Sequence, residues 1–135
     1  MKKKILVVDD NFLIRELLKV RLSKRGFEVE TASNEKEFWS GIFASRPDLI
    51  ILDVWLKDKS GPYIYERLSR FFGFNPVIPV IFITAFIDKK TLPREHRLDE
   101  THTVFTKPFN FEELCGEIDR LLKTDSADPG SLLLV

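Results

Sequence analysis

Short apolar runs alternate with longer amphipathic segments along this chain, and that order limits the possible folds more than any other feature. Residues 5–8, 49–52 and 79–84 are nearly continuous apolar runs, which is typical of strands buried on both faces of a sheet. Residues 27–32 alternate apolar with polar, and residues 103–106 form a short fifth run. Strands separated by helices pair in parallel through crossover connections. The pattern therefore predicts an α/β fold, a doubly wound five-stranded parallel sheet with helices on both faces.

The segments between these runs carry helix signals of different strength. Helices are predicted around residues 14–22, after Ser33 or Asn34, over residues 60–72 and after Asn110, where capping residues and apolar spacing coincide. Residues 86–102 have few apolar side chains and contain Pro93, so we expect a short, displaced or poorly packed fourth helix there. Residues 1–123 are predicted to form one domain, and residues 124–135 a tail or the start of a linker.

Composition excludes several classes of function. Lysine plus arginine and aspartate plus glutamate each total 21, so the formal net charge is zero and nucleic-acid binding by this domain itself is not expected. The apolar run after the N-terminal lysines is too short for a signal segment or a membrane span. The one cysteine, Cys115, has no internal partner. These features predict a cytoplasmic protein that does not bind membranes.

Polar residues stand where the predicted strands end. Asp9 and Asp10 follow the first strand, Asp53 ends the third, Thr84 ends the fourth and Lys107 follows the fifth. The carboxyl ends of parallel strands share one rim, so these side chains should meet there. Carboxylates at close range repel, and a hard divalent cation such as Mg²⁺ relieves the repulsion. Each residue alone would be an ordinary turn or cap residue, but together they suggest a phosphoryl site with a carboxylate nucleophile.

Four segments, ILVVDDN, LIILDVWLKDKSG, PVIFITA and VFTKPF, resemble the signatures of response regulator receiver domains from two-component systems, over about residues 3–123. The resemblance implies a flavodoxin-like fold with strand order 2-1-3-4-5. It also implies that Asp53 accepts a phosphoryl group from a sensor histidine kinase or a phosphotransfer protein, with Mg²⁺ or Mn²⁺ as cofactor. Such a domain is a signalling switch that assists its own phosphorylation and dephosphorylation, not an enzyme that turns over an external substrate.

The resemblance also implies roles for individual residues around the metal. Asp10 would bind Mg²⁺ directly, and Asp9 mainly through water. Asp53 would supply a carboxylate oxygen, and Trp55 its backbone carbonyl.

Further roles concern the phosphoryl group and the switch. Thr84 would bond a phosphoryl oxygen, and Lys107 would pair with the phosphoryl charge. Phe105 matches the aromatic residue whose rotation accompanies the movement of Thr84. Pro108 matches the proline after the lysine, often preceded by a cis peptide bond, and it flanks the site together with Ala85.

Two departures from the family pattern bear on function. Trp55 and Phe86 are bulkier than the usual occupants, and we hypothesise that their rings restrict the water that hydrolyses the aspartyl phosphate. Packing of both rings on the surface is an equally open alternative. The sequence RLDETH, residues 97–102, replaces the small residues usual before the fifth strand. In the family, the fourth helix, fifth strand and fifth helix commonly form the face that binds an output domain, a partner protein or a second copy. Because of the RLDETH sequence, the partner of this face cannot be predicted from the resemblance.

Other functions remain as alternatives. A degenerate receiver would bind proteins without being phosphorylated. A phosphatase of the haloacid dehalogenase type would need Asp-x-Asp after the first strand, where this chain has adjacent Asp9 and Asp10. A flavin- or nucleotide-binding module would need a phosphate loop rich in glycine, serine or threonine at that point, and two aspartates there disfavour it.

Overall fold

Six strands and four helices are present in the part of the chain that the structure, a computed structural model, describes: residues 2–54, 56, 61–72, 78–85, 95–97 and 102–123. The strands are β1 (Lys4–Val8), β2 (Glu28–Ala32), β3 (Leu49–Asp53), β4 (Val80–Thr84), β5 (Glu95–Arg97) and β6 (His102–Thr106). The helices are α1 (Phe12–Lys24), α2 (Glu35–Ser45), α3 (Gly61–Phe72) and α4 (Phe111–Leu122).

The strands form a single sheet in the order β2-β1-β3-β4-β6-β5. β1 pairs in parallel with β2 and β3, β4 pairs in parallel with β3 and β6, and only β5 runs antiparallel. If β5 is left out and β6 is counted as the fifth strand, the order of the parallel strands is 2-1-3-4-5. This order confirms the predicted doubly wound sheet. All five residues of β3 and all five of β4 are buried, including the polar residues Asp53 and Thr84 that end them.

The helices cover both faces of the sheet. α1 and α4 place Leu18, Leu22, Leu114 and Ile118 against one face, and α2 and α3 place Phe38, Ile42, Ile64 and Leu68 against the other. Successive residues of a strand point to opposite faces, so alternate residues of β1, β3 and β4 contribute to the two cores. The sheet is thus buried between two layers of helices, and the polar strand ends are held on a rigid frame.

Asparagine side chains begin three of the helices. Asn11 accepts hydrogen bonds from the N–H groups of Leu13 and Ile14 at the start of α1. Asn34 and Asn110 accept from the N–H groups three residues on, in α2 and α4. These contacts satisfy N–H groups that have no partner inside a helix. Of the two cap positions predicted for α2, Ser33 and Asn34, the structure has Asn34, and the predicted cap at Asn110 is confirmed.

The predicted fourth helix is wrong for the residues described within 86–102. Glu95–Arg97 form β5, which pairs antiparallel with β6 from Glu95 opposite Phe105 to Arg97 opposite Thr103. Without β5, the outer edge of β6 would present unpaired backbone groups. Residues 86–102 also contain few apolar side chains, so a helix formed by them would have little apolar surface to bury. The remaining residues of the predicted helix lie outside the described residues, as does the predicted tail 124–135. Within the described residues, Glu95–Arg97 therefore form an edge strand next to β6, the fifth strand of the predicted partner face.

Cys115 lies in α4 against the core, with only 1% of its surface exposed. Burial raises the pKa of its thiol to about 11, so the thiol stays protonated near neutral pH. Its role is packing. No helix within the described ranges is long and apolar enough to cross a membrane.

Candidate functional site

The register of the central strands brings two of the predicted acids side by side. Val8 of β1 pairs with Leu52 of β3, so Asp9 and Asp53 follow next to each other at the carboxyl rim. Asp9 is fully buried and Asp53 is 4% exposed. Asp9 is also tied down by its backbone, because its N–H donates to the carbonyl of Ala32 at 3.0 Å. Its Oδ1 atom accepts a 2.8 Å hydrogen bond from the N–H of Asn11.

The Lys107 ammonium reaches both of these carboxylates. Lys107 follows β6, and its backbone N–H donates to the Thr84 carbonyl at 2.7 Å, which anchors it at the rim. Its Nζ lies 2.7 Å from Oδ2 of Asp9 and 3.5 Å from Oδ2 of Asp53. Only 16% of the lysine side chain is exposed, so water screens these attractions weakly. In this arrangement the lysine compensates part of the acidic charge.

The three acids form a group suited to a hard cation. Asp9, Asp10 and Asp53 each offer a carboxylate oxygen, and these oxygens lie within 4.8 Å of one another. With one ammonium present, three carboxylates leave two negative charges unbalanced. The Oδ2 atom of Asp9 is buried and, although it is ion-paired with Lys107, it accepts no hydrogen bond from the described residues. An oxygen-only donor set with this charge fits a divalent ion.

The structure describes four more of the predicted site residues: Thr84, Ala85, Phe105 and Pro108. Thr84 ends β4 and is 2% exposed, and Ala85 follows it in an exposed position. Phe105 of β6 is 1% exposed, with its ring in the core between the sheet and α4. Pro108 is exposed, and the Lys107–Pro108 peptide bond is cis. Trp55 and Phe86 lie outside the described residues.

Three residues that the sequence patterns did not single out for the site also contact it. Asn11 caps α1 and holds Asp9, as described above. Gly61 begins α3 beside β3: a Cβ there would overlap the carbonyl oxygen of Asp53 and lie 3.1 Å from its carbonyl carbon. Arg15 donates from Nη1 to the backbone carbonyl of Asp9 at 2.8 Å. Arg15 stands one helical turn after Asn11, and that spacing was the signal that could have placed it over the loop.

Comparisons with known proteins identify the family of the chain. The family model for the response regulator receiver domain matches residues 5–119. The transcriptional regulatory protein CrdR of Helicobacter pylori is 34% identical over 93% of this chain, which spans 57% of that protein. The phosphate regulon transcriptional regulatory protein PhoB of Pseudomonas aeruginosa is 36% identical, with 60% of its length spanned. The chain thus covers only part of these transcriptional regulators.

A second kind of relative is short. Sporulation initiation phosphotransferase F of Bacillus subtilis is 31% identical over 93% of this chain, and the chain spans 98% of it. Among solved structures, the chemotaxis protein CheY4 of Vibrio cholerae superposes with a TM-score of 0.74 at 26% identity, over 90% of this chain and 99% of that one. With its parallel sheet, its acidic rim and a family match over residues 5–119, the chain belongs to the response regulator receiver domains.

Proposed function

We propose that this domain is a phosphorylation-dependent signalling switch in which Asp53 accepts the phosphoryl group. The observation that carries the proposal is the contact of one ammonium with two of three clustered carboxylates. Lys107 Nζ lies 2.7 Å from Asp9 and 3.5 Å from Asp53, and Asp10 completes the acidic group. Asp53 is fixed at the mouth of a buried strand, so its carboxylate is held ready to attack an electrophile.

The reaction transfers phosphorus from nitrogen to oxygen. A carboxylate oxygen of Asp53 attacks the phosphorus of a phosphohistidine, an O–P bond forms, and the N–P bond breaks. The electron pair of that bond returns to the imidazole, which takes up a proton. Lys107 turns from the acids to the phosphoryl oxygens, and the Thr84 hydroxyl donates to another of them.

A divalent cation, Mg²⁺ or Mn²⁺, is part of the proposal. Asp10 would bind it directly, Asp9 through water, Asp53 through one carboxylate oxygen and Trp55 through its backbone carbonyl. Bound there, the ion would neutralise charge on the acids and on the incoming phosphoryl oxygens. The chain's own contribution is to hold one carboxylate oxygen each of Asp9, Asp10 and Asp53 within 4.8 Å of one another.

The output of the switch is a change in partner binding, not turnover of an external substrate. New contacts of Thr84 with the phosphoryl group would favour one of two conformations, and the position of the Phe105 ring would change with it. In this structure that ring is buried, at 1% exposure. The affected face includes β6 and α4, where an output domain, a partner protein or a second copy would bind.

The setting of the switch is also part of the proposal. We place the receiver domain at residues 1–123, with residues 124–135 as a tail or the start of a linker. The donor is a sensor histidine kinase or a histidine phosphotransfer protein. The curated transcriptional regulators are longer than this chain, which supports an attached or separate output protein. A single cysteine without an internal partner supports a cytoplasmic setting, and the even charge balance supports no direct binding of nucleic acid.

The experiment is a fluorescence titration that uses the chain's two tryptophans, first with Mg²⁺ and then with beryllofluoride, a phosphoryl mimic. We expect both additions to change the emission of the wild type, and Asp53→Asn to abolish the second change. Asp48→Asn is the matched control, because Asp48 lies at the opposite end of the sheet, where it accepts a 2.8 Å hydrogen bond from the Lys4 N–H. It should keep both responses. A beryllofluoride response that persists in Asp53→Asn excludes Asp53 as the acceptor.

A further inference from the structure

The peptide that joins the two acids of the β1–α1 loop is held by the side chain of Arg15. The guanidinium donates from Nη1 to the carbonyl oxygen of Asp9 at 2.8 Å, in a partly buried position. That carbonyl belongs to the peptide plane linking Asp9 to Asp10, and peptide planes are rigid. Fixing the carbonyl therefore fixes the direction in which the chain enters Asp10. Asp10 itself has no hydrogen bond or ion pair with the described residues, so its placement depends on the backbone.

The cleft beside Arg15 also contains an acidic side chain of α2, Glu37. Arg15, Ser33 and Glu37 line the same cleft of about 510 Å³ between α1 and α2. The Oε1 atom of Glu37 accepts hydrogen bonds from the Ser33 hydroxyl at 2.6 Å and from its N–H at 2.7 Å. These two bonds lower the pKa of Glu37, and the positive charge of Arg15 lowers it further. The carboxylate is therefore ionised and fixed where it attracts the guanidinium.

We propose that Arg15 is a positioning residue for the cation site, which orients Asp10 by holding the Asp9–Asp10 peptide. The proposal rests on the proposed function only in that it requires a divalent ion at the acidic group. Arg15 has no hydrogen bond or ion pair with the side chains of the three acids in the described part of the chain. It therefore acts through the backbone carbonyl of Asp9. Residues that orient metal ligands in this way commonly change metal affinity about 10- to 100-fold when they are removed.

A positioning role and a purely electrostatic role predict opposite signs for one substitution. Arg15 is positively charged and close to the acids, so it repels an incoming cation. If charge were its only effect, Arg15→Met would bind Mg²⁺ more tightly than the wild type. If Arg15 orients Asp10, Arg15→Met binds Mg²⁺ more weakly. The direction of the change therefore distinguishes the two roles.

The experiment measures Mg²⁺ affinity by calorimetry for the wild type, Arg15→Met, Arg15→Lys and Lys19→Met. Lys19 is exposed on the same helix, so Lys19→Met removes an equal charge without touching the loop. We expect Arg15→Met to bind about tenfold more weakly, Arg15→Lys to fall in between, and Lys19→Met to match the wild type or bind slightly more tightly. Equal or tighter binding by Arg15→Met overturns the proposal. If that variant does not fold, unchanged affinity in Arg15→Lys overturns it instead.

A second measurement needs no metal. Amide hydrogen exchange in residues 9–12 should be faster in Arg15→Met than in the wild type, and unchanged in Lys19→Met, because only the first frees the Asp9 carbonyl. Unchanged exchange in Arg15→Met also overturns the proposal. The two proposals fail separately: a wild type that binds no Mg²⁺ defeats the proposed switch, whereas a wild type that binds it with an unaffected Arg15→Met defeats only the role of Arg15.

Discussion

Replacing Asp10 by asparagine should make the metal-free domain more stable. Asp10 has two carboxylate neighbours, with ligand oxygens within 4.8 Å. At that distance two like charges repel by about 0.9 kcal/mol in water and about 3.5 kcal/mol at an effective dielectric constant near 20. Asp10 is partly exposed, so the lower value is closer for each pair. The attraction between Asp10 and the Lys107 ammonium offsets part of the repulsion between Asp10 and the other two acids. We therefore expect Asp10→Asn to raise the free energy of unfolding by about 1 kcal/mol.

The same substitution should remove the stabilisation that a bound cation provides. A ligand present at about 100 times its dissociation constant stabilises the state that binds it by about 2.7 kcal/mol. The wild type should therefore gain stability when Mg²⁺ replaces a chelator, and Asp10→Asn should gain little. The order of stability reverses: the variant is the more stable protein in chelator, and the wild type is the more stable one in Mg²⁺.

Urea unfolding followed by circular dichroism, with chelator and with Mg²⁺, measures all four free energies. Glu28→Gln is the control, since Glu28 is an exposed acid on β2 and its loss should change stability little in either buffer. If Asp10→Asn is less stable than the wild type in chelator, repulsion among the acids is not the dominant effect at this rim. Equal stabilisation of both proteins by Mg²⁺ would show that Asp10 is not a ligand.

Two further predictions concern the surroundings of Asp53. Gly61→Ala should lower the free energy of unfolding by about 1–3 kcal/mol and weaken beryllofluoride binding, because its Cβ would overlap the Asp53 carbonyl. Gly116→Ala is the control, because a Cβ at this position in α4 meets nothing within 4 Å, and it should raise the free energy of unfolding by about 0.5–1 kcal/mol. If both substitutions destabilise the protein, the steric reasoning is refuted. The double variant with Trp55→Ala and Phe86→Ala should shorten the half-life of the aspartyl phosphate, which can be measured with radiolabelled phosphoprotein. An unchanged half-life would contradict the hypothesis that the two rings restrict the hydrolytic water.

The sheet was predictable because its signals are local and repeated. Apolar runs such as residues 49–52 have no stable alternative to burial, and the asparagine caps mark where the helices begin. Parallel pairing then determines which ends of the strands share a rim. That geometry predicts a shared rim for Asp9, Asp53 and Lys107, and in the structure Lys107 Nζ lies within 3.5 Å of a carboxylate oxygen of each acid. Strand order needed the family resemblance, since crossover lengths do not determine it.

The features that could not be predicted depend on contacts between distant segments. Glu95–Arg97 carry no strand pattern, and they form β5 because the edge of β6 offers unpaired backbone groups. Arg15 is a different case: its place one helical turn after Asn11 indicated that it reaches the loop, but the hydrogen bond to the Asp9 carbonyl depends on the path of the backbone after β1. Leu17 belongs to the apolar stripe of α1, yet it is 47% exposed, because the stripe is wider than the face that α1 buries. A sequence pattern assigns residues to a face but does not determine how much of that face is covered.

The charge at the rim explains why a cation belongs to the proposed reaction. Three carboxylates and one ammonium leave two negative charges, which one divalent ion cancels. Phosphorylation then converts the single charge of Asp53 into the greater charge of an acyl phosphate, and without the ion that group would enter a site already negative. The ammonium of Lys107, 2.7 Å from Asp9, can leave that acid for the phosphoryl oxygens only if another cation takes its place. Cation binding and the movement of Lys107 are therefore expected to be coupled steps.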